Sequence, residues 1–250
     1  MNIYDRPLKA AVLAAGKGTR LRTEGCDVPK VMRLAAGRPL LHYVLSALDF
    51  IPREDIILVV GYKKEQVIAG FPGYPFVEQT LQLGTGHAAM AALQALPDYE
   101  GDLLVCCGDM PLIRRETYMA LVDRHRETRA ACTMLTGTSG AKLPYGRIIR
   151  DERGGFAGIV EDKDCTPEQK KIEELNSGVY IFDAAVLRSV LSGLRRDNAQ
   201  GEYYLTDAPA LIQARGLPVE ICRRELGFEI LGVNTPEQLR QVEALLLQEQ

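Results

Sequence analysis

The chain has 250 residues, 46% of them hydrophobic and 25% charged, which is enough to bury a full core in one large domain or one domain with a small lobe. A net charge of −3 gives no general basic surface for nucleic acid or anionic membrane, and no uncharged apolar run approaches the ~20 residues that span a bilayer. The start of the chain lacks the apolar core of a signal peptide, so a cytoplasmic protein is expected, and its six cysteines, without a C-x-x-C pair or metal-ligand spacing, are read as reduced thiols, mostly buried.

Residues 9–15 are apolar enough for a buried parallel strand. The loop that follows, Gly16-Lys17-Gly18-Thr19-Arg20-Leu21, combines flexible backbone with positive charge and is closed by Pro29-Lys30. Its glycines can turn backbone N–H groups inward around an anion, with Lys17, Arg20 and Lys30 adding charge suited to a triphosphate. It matches neither the P-loop spacing nor G-x-G-x-x-G, because Leu21 stands where a third glycine would fall.

The spacing of apolar residues then predicts a helix over 39–50, a strand over 55–60 and a helix over 63–69. Gln82-Leu83-Gly84-Thr85-Gly86-His87 leads into an Ala-rich helix over 86–96, with Thr85 as its N-cap and a helix N-terminus open to a phosphate or base carbonyl. His87 has no nucleophile or carboxylate partner at catalytic spacing and is read as packing at the helix start rather than acting as a base.

A strand over 101–106 delivers Gly108-Asp109-Met110-Pro111 to its carboxyl end, where Asp109 can hold a divalent cation near phosphate or simply stabilise the turn. A helix over 114–127 and a strand over 130–136 follow. Residues 143–176 change character: strand-like pieces over 146–150 and 156–160 flank Arg153-Gly154-Gly155, reading as a hairpin-bearing insertion that can wall off a second pocket.

Beyond it come a strand over 179–182 and helices over 184–194, 204–213 and 236–247, the last within a C-terminal helical stretch over 235–250. Asn176, Tyr203, Tyr204, Thr206 and Asn234 lie in polar clusters that border these elements. Taken singly they read as caps, turns or core; together they supply the neutral hydrogen-bonding groups that sugar hydroxyls and amides require. Alternating strands and helices predict an α/β sheet with helices on both faces.

The motifs LAAGKGTRL, PKV, QLGTGHA, GDMPLI, YGRI, VEDKD, NSGVY, GEYYLTD and GVNT occur in that order. On them the chain, from about Lys9 to about Gln248, resembles the uridylyltransferase domain of bacterial N-acetylglucosamine-1-phosphate uridylyltransferases, within the sugar-phosphate nucleotidyltransferases. The resemblance implies one Rossmann-like, mostly parallel α/β domain of nucleotide-diphospho-sugar transferase type, with the insertion lining a sugar pocket. It implies UTP and N-acetylglucosamine 1-phosphate as substrates, UDP-N-acetylglucosamine, a cell-envelope precursor, as product, and Mg2+ as cofactor.

On the matching positions the resemblance implies that Leu13, Ala14, Ala15, Gly16, Gly18 and Gly108 line the nucleotide, while Gln79, Gly84 and Thr85 read uracil and ribose. Lys30 contacts phosphate, Arg20 holds the leaving pyrophosphate, and Asp109 and Asn234 ligate Mg2+. Gly146, Glu161, Asn176, Tyr204 and Thr206 surround the sugar.

The chain departs from the family in three places. Residues 21–29 form a longer loop, Cys106 and Cys107 stand beside Gly108, and no hexapeptide-repeat acetyltransferase domain follows, so neither its acetyl transfer nor its trimer-forming element is expected. Another sugar 1-phosphate or an alcohol phosphate as substrate, and a non-catalytic sensor of UTP or UDP-sugar, remain the alternative readings. Oligomeric state is left open.

Overall fold

A computed structural model describes residues 6–21, 27–139 and 143–248. Cys26 with most of the longer loop, the first five residues and the last two of the C-terminal stretch lie outside the described residues.

In chain order the strands are β1 (Leu8–Leu13), β2 (Leu34–Ala35), β3 (Arg38–Pro39), β4 (Ile56–Val60), β5 (Phe76–Glu78), β6 (Asp102–Cys107), β7 (Cys132–Thr138), β8 (Arg147–Arg150), β9 (Phe156–Val160), β10 (Leu175–Asp183) and β11 (Val219–Glu225). The helices are α1 (Leu40–Ala47), α2 (Lys64–Gly70), α3 (Thr85–Gln94), α4 (Arg115–Thr128), α5 (Ala184–Leu191), α6 (Ala208–Gln213) and α7 (Pro236–Gln248).

The central sheet runs β11-β7-β10-β6-β1-β4-β5. All its pairings are parallel except those of β10, which is antiparallel to both β6 and β7. This is the mostly parallel, Rossmann-like α/β sheet expected. β1 sits in the middle because Ala10, Ala11 and Val12 are fully buried and can be covered from both sides.

Period-two alternation divides the core. Ala10, Val12, Leu104 and Cys106 face α1, α4 and α7, whereas Ala11, Leu103 and Val105 face α3, α5 and α6. The antiparallel β8–β9 pair joins the sheet through Arg147, in register with Leu175 at the start of β10.

Several boundaries differ from the sequence expectations for local reasons. The 204–213 helix begins only at Ala208, with Pro209 in its first turn, because Leu205–Asp207 form a separate 3-10 turn. The 184–194 helix is capped by Asp183, whose Oδ1 accepts from Val186 N at 2.9 Å, and it ends before Gly193. Gly84, not Thr85, is the N-cap of α3; Thr85 is its first residue and its Oγ1 accepts from Leu205 N at 3.1 Å.

Candidate active site

Six strands of the central sheet point the same way, so the carboxyl ends of β1, β4 and β6 share one edge, where open α/β sheets place their ligands. β10 runs the other way and brings its first residues to that edge. The register on β7 shifts between Asn176, paired with Thr136, and Tyr180, paired with Met134, with Gly178 at φ 75° between them, so the break falls immediately after Asn176. Its Oδ1 accepts from the Tyr180 hydroxyl at 2.9 Å and from Gly178 N at 3.2 Å, which fixes the amide.

After β6 the chain turns sharply. Gly108 N donates to Leu13 O at 3.0 Å, and Asp109 follows at the sheet edge. Asp109 O accepts from Val233 N at 2.9 Å, tying the loop that carries Asn234 to this turn, while Asn234 N donates to Gln238 Oε1 at the start of α7.

Four predicted residues meet here. The Lys30 ammonium pairs with the Asp109 carboxylate and donates to Asn234 Oδ1 at 2.7 Å; Arg20 Nη2 reaches the same Asn234 oxygen at 3.2 Å. Lys30 and Asp109 are mostly buried and Arg20 is exposed.

A cleft of about 250 Å³ opens on one side of this cluster, lined by Leu13, Ala15, Gly16, Gln79, Gly84 and Thr85 among others. A Cβ at Gly16 would meet nothing within 4 Å, so the missing side chain leaves open space above the loop. Glu202 also lines this cleft and was not foreseen as a site residue.

Gly86 N, one of the donors expected to face a ligand at the start of α3, is taken by Tyr203 O at 2.8 Å. Three nucleotide-side residues sit behind the cleft wall. Ala14 is buried and donates its N–H to Val59 O, Gly18 packs on Lys30, and Gly108 lies against Val31 and Leu13. Lys17 is exposed and does not line the cleft.

On the other side lies a cavity of about 180 Å³, with Gly146, Glu161, Asn176 and Thr206 in its wall. Tyr204 is absent from that wall: its hydroxyl donates to Asp164 Oδ2 at 3.3 Å and accepts from Gln200 at 3.0 Å, so it clasps the insertion to the 198–206 segment instead. Burial pushes Glu161 above the usual carboxylate range; the Thr206 hydroxyl opposes this, and Asp164, Asp207 and Asp162 reinforce it.

Leu13, Thr85, Cys107 and Asp109 line both spaces, so the cleft and the cavity adjoin. Cys107 thus stands at their common wall. Burial and the Asp109 charge push its thiol far above the ordinary value, and Cys106 is pushed up to about 12, so both remain neutral thiols at physiological pH. Tyr145 was also missed, although it immediately precedes Gly146. It lines the cavity, and its oxygen accepts from Gly232 N at 2.7 Å, fastening the insertion to the loop before Asn234.

Two adjoining spaces at a parallel sheet's carboxyl edge, with cations and oxygen donors where they meet, suit a reaction between two phosphorylated molecules. Such a protein is a nucleotidyltransferase. Residues 10–153 match the MobA-like NTP transferase domain, and the chain belongs to that family.

It is 43% identical over 240 residues to the bifunctional protein GlmU of Pelotomaculum thermopropionicum, covering 96% of this chain and 52% of that protein. Identity is 44% over 241 residues with the bifunctional protein GlmU of Syntrophotalea carbinolica, covering 96% of this chain and 51% of that protein. With the GlmU of Lactococcus lactis subsp. cremoris it is 42% over 238 residues, covering 95% and 51%. The chain therefore spans about half the length of these relatives.

Nucleotidyltransferases of this family generally use a divalent metal. Among the described residues no group of three or more His, Cys, Asp or Glu could hold an ion, and the two groups expected to ligate one are the Asp109 carboxylate and the Asn234 carboxamide oxygen. They fit: both already converge on one cation, the Lys30 ammonium, and they are hard oxygen donors that leave coordination sites for water and phosphate. No helix among the described residues is long and apolar enough to cross a membrane.

Proposed function

We propose that this chain transfers a uridylyl group from UTP to N-acetylglucosamine 1-phosphate, forming UDP-N-acetylglucosamine and pyrophosphate. The observation that carries this reading is the shared wall: Asp109 borders both spaces and is paired with Lys30, and Arg20 reaches the same cluster through Asn234, so two phosphorylated substrates lodged on either side bring their phosphates to one point where Lys30 and Arg20 outnumber the single carboxylate.

The UTP base and ribose occupy the cleft beside Gln79, Gly84 and Thr85, and the sugar occupies the cavity beside Gly146, Glu161, Asn176 and Thr206. A phosphate oxygen of the sugar phosphate attacks the α-phosphorus of UTP in line. A new P–O bond forms, the bond from the α-phosphorus to the bridging oxygen breaks, and the electron pair leaves with pyrophosphate.

The nucleophile is already an anion, so the protein positions it and neutralises charge without a general base. Lys30 steadies the α-phosphate, and Arg20, exposed at the mouth, holds the departing pyrophosphate. Mg2+, held by Asp109 and Asn234, supplies further neutralisation of phosphate charge when bound. The location in the cytoplasm, where UTP is made, follows from this reading.

The direct test is pyrophosphate release by purified protein with Mg2+, crossing UTP, CTP, dTTP and GTP with N-acetylglucosamine 1-phosphate, glucose 1-phosphate and alcohol phosphates. Preferred turnover of UTP with N-acetylglucosamine 1-phosphate supports the reading. A different preferred pair moves the substrate and keeps the chemistry. Saturable UTP binding with no turnover on any acceptor replaces the enzyme with a sensor.

A further inference from the structure

Gln79 directly follows β5, and its backbone N–H donates to Val60 O at 2.7 Å. Its side chain is almost fully buried, at 4% exposure, yet it lines the nucleotide-side cleft. Its amide nitrogen lies 3.0 Å from Gly84 O and 3.1 Å from His87 Nδ1.

These two contacts settle which end of the amide is which. A backbone carbonyl only accepts, so the atom against Gly84 O is the NH2 group. The same nitrogen faces His87, so Nδ1 of the imidazole presents its lone pair and the ring proton of the neutral form sits on Nε2. Both amide protons are then used.

The Gln79 carbonyl oxygen is left without a protein partner among the described residues, and it is not sealed from solvent. Gln79 itself lines the cleft. Both clamps are themselves held. Gly84 takes φ 106°, and a Cβ there would come within 2.6 Å of Tyr203 O, so the loop is shaped around glycine. His87 stacks on Tyr203 with ring centroids 6.5 Å apart.

We propose that His87 is a positioning residue for base selection: with the Gly84 carbonyl it locks Gln79 as an acceptor facing the cleft, which then takes a pyrimidine whose pairing edge offers an N–H. The imide N3–H of uracil or thymine satisfies that oxygen. Cytosine turns a lone pair toward it and leaves two acceptors opposed. This inference rests on the uridylyl-transfer reading and adds the element that enforces it.

The experiment measures kcat/KM for UTP and for CTP, with one sugar phosphate, in the wild type, His87→Phe and His87→Asn. Phenylalanine keeps a ring on Tyr203 and deletes the lone pair; asparagine restores an acceptor near the place of Nδ1.

A site built to accept an N–H should give the wild type a preference for UTP of about 100-fold or more, and His87→Phe, which leaves the Gln79 amide held by the Gly84 carbonyl alone, should fall to about tenfold or less. The change should appear in the nucleotide KM, with the sugar-phosphate KM unmoved, and His87→Asn should recover most of the preference. If His87→Phe does not fold, His87→Leu is read in the same way.

A variant without the lone pair that keeps the wild-type UTP/CTP ratio overturns the proposal, even if its kcat falls, because a merely structural role would produce that result. A wild type that does not prefer UTP instead overturns the reading on which the proposal rests.

Discussion

Gly18 lies against Lys30: a Cβ added to Gly18 would approach the Lys30 Cβ to 2.8 Å, and Gly18 holds φ 63°. The second glycine of the loop therefore makes room for the stem of the lysine that joins Asp109 to Asn234. Gly18→Ala imposes left-handed strain of about 1 kcal/mol and pushes on Lys30 as well. The expected outcome is a fall in kcat of about tenfold or more, with the sugar-phosphate KM little changed, in steady-state kinetics. A variant that loses stability and keeps kcat would show that the contact is only packing.

Arg20 and Asp109 are expected to separate activity from stability. Arg20 is exposed and donates to the Asn234 oxygen at 3.2 Å, so Arg20→Ala removes little from the fold. Removing a group that neutralises transition-state charge commonly costs about 100-fold or more in rate. Both Arg20→Ala and Asp109→Ala should lose turnover to this degree, with circular dichroism unchanged and, for Arg20→Ala, a melting temperature within about 1 °C of the wild type. Near-normal turnover in either variant would remove that residue from the proposed machinery.

β1, β4, β6 and β7 were legible because they are apolar runs, Ile56 to Val60 being buried at every residue, whereas the short β5, Phe76–Glu78, has exposed ends and went unread. β11 was missed as well, because its sequence Val-Glu-Ile-Cys-Arg-Arg-Glu ends in three exposed charged residues and pairs only along one edge, with β7. The reversed direction of β10 has no local signature, since a strand reads the same either way along an apolar run. At the site, the motifs pointed to Asp109 and Lys30, which the structure pairs, and equally to Tyr204, whose hydroxyl bonds to Asp164 and Gln200, a pairing that no local sequence signal announces. Cys107 was noticed, and only the adjoining of the two spaces gives it a place.

The two cysteines at the end of β6 should be chemically quiet. Burial raises both thiols, Cys106 to about 12, so at pH 8 each holds almost no thiolate although Cys107 borders both spaces. In native protein treated with iodoacetamide at pH 8, peptide mapping should find both residues alkylated at least about 100-fold more slowly than in the unfolded chain. Rapid labelling of Cys107 would mean that the environment of the shared wall is far more polar than its burial implies.

Glu161 should trade stability for binding. Burial, with Asp164, Asp207 and Asp162 nearby, raises its folded-state value above the ordinary 4.5, with only the Thr206 hydroxyl acting the other way. Between 4.5 and that raised value the native protein keeps a proton that the unfolded chain has lost, so the contribution of this group to stability falls as pH rises through the window. Glu161→Gln removes the buried charge and should melt at least about 2 °C above the wild type at pH 7, with the gap closing on acidification below 4.5. In the same variant the sugar-phosphate KM should rise about tenfold, because a carboxylate acceptor in the cavity wall is lost while the nucleotide side is untouched. Melting curves between pH 4 and pH 8 decide the first half: a gap that widens on acidification would mean that Glu161 is held ionised by a favourable partner, and its burial would then have to be read as the smaller effect.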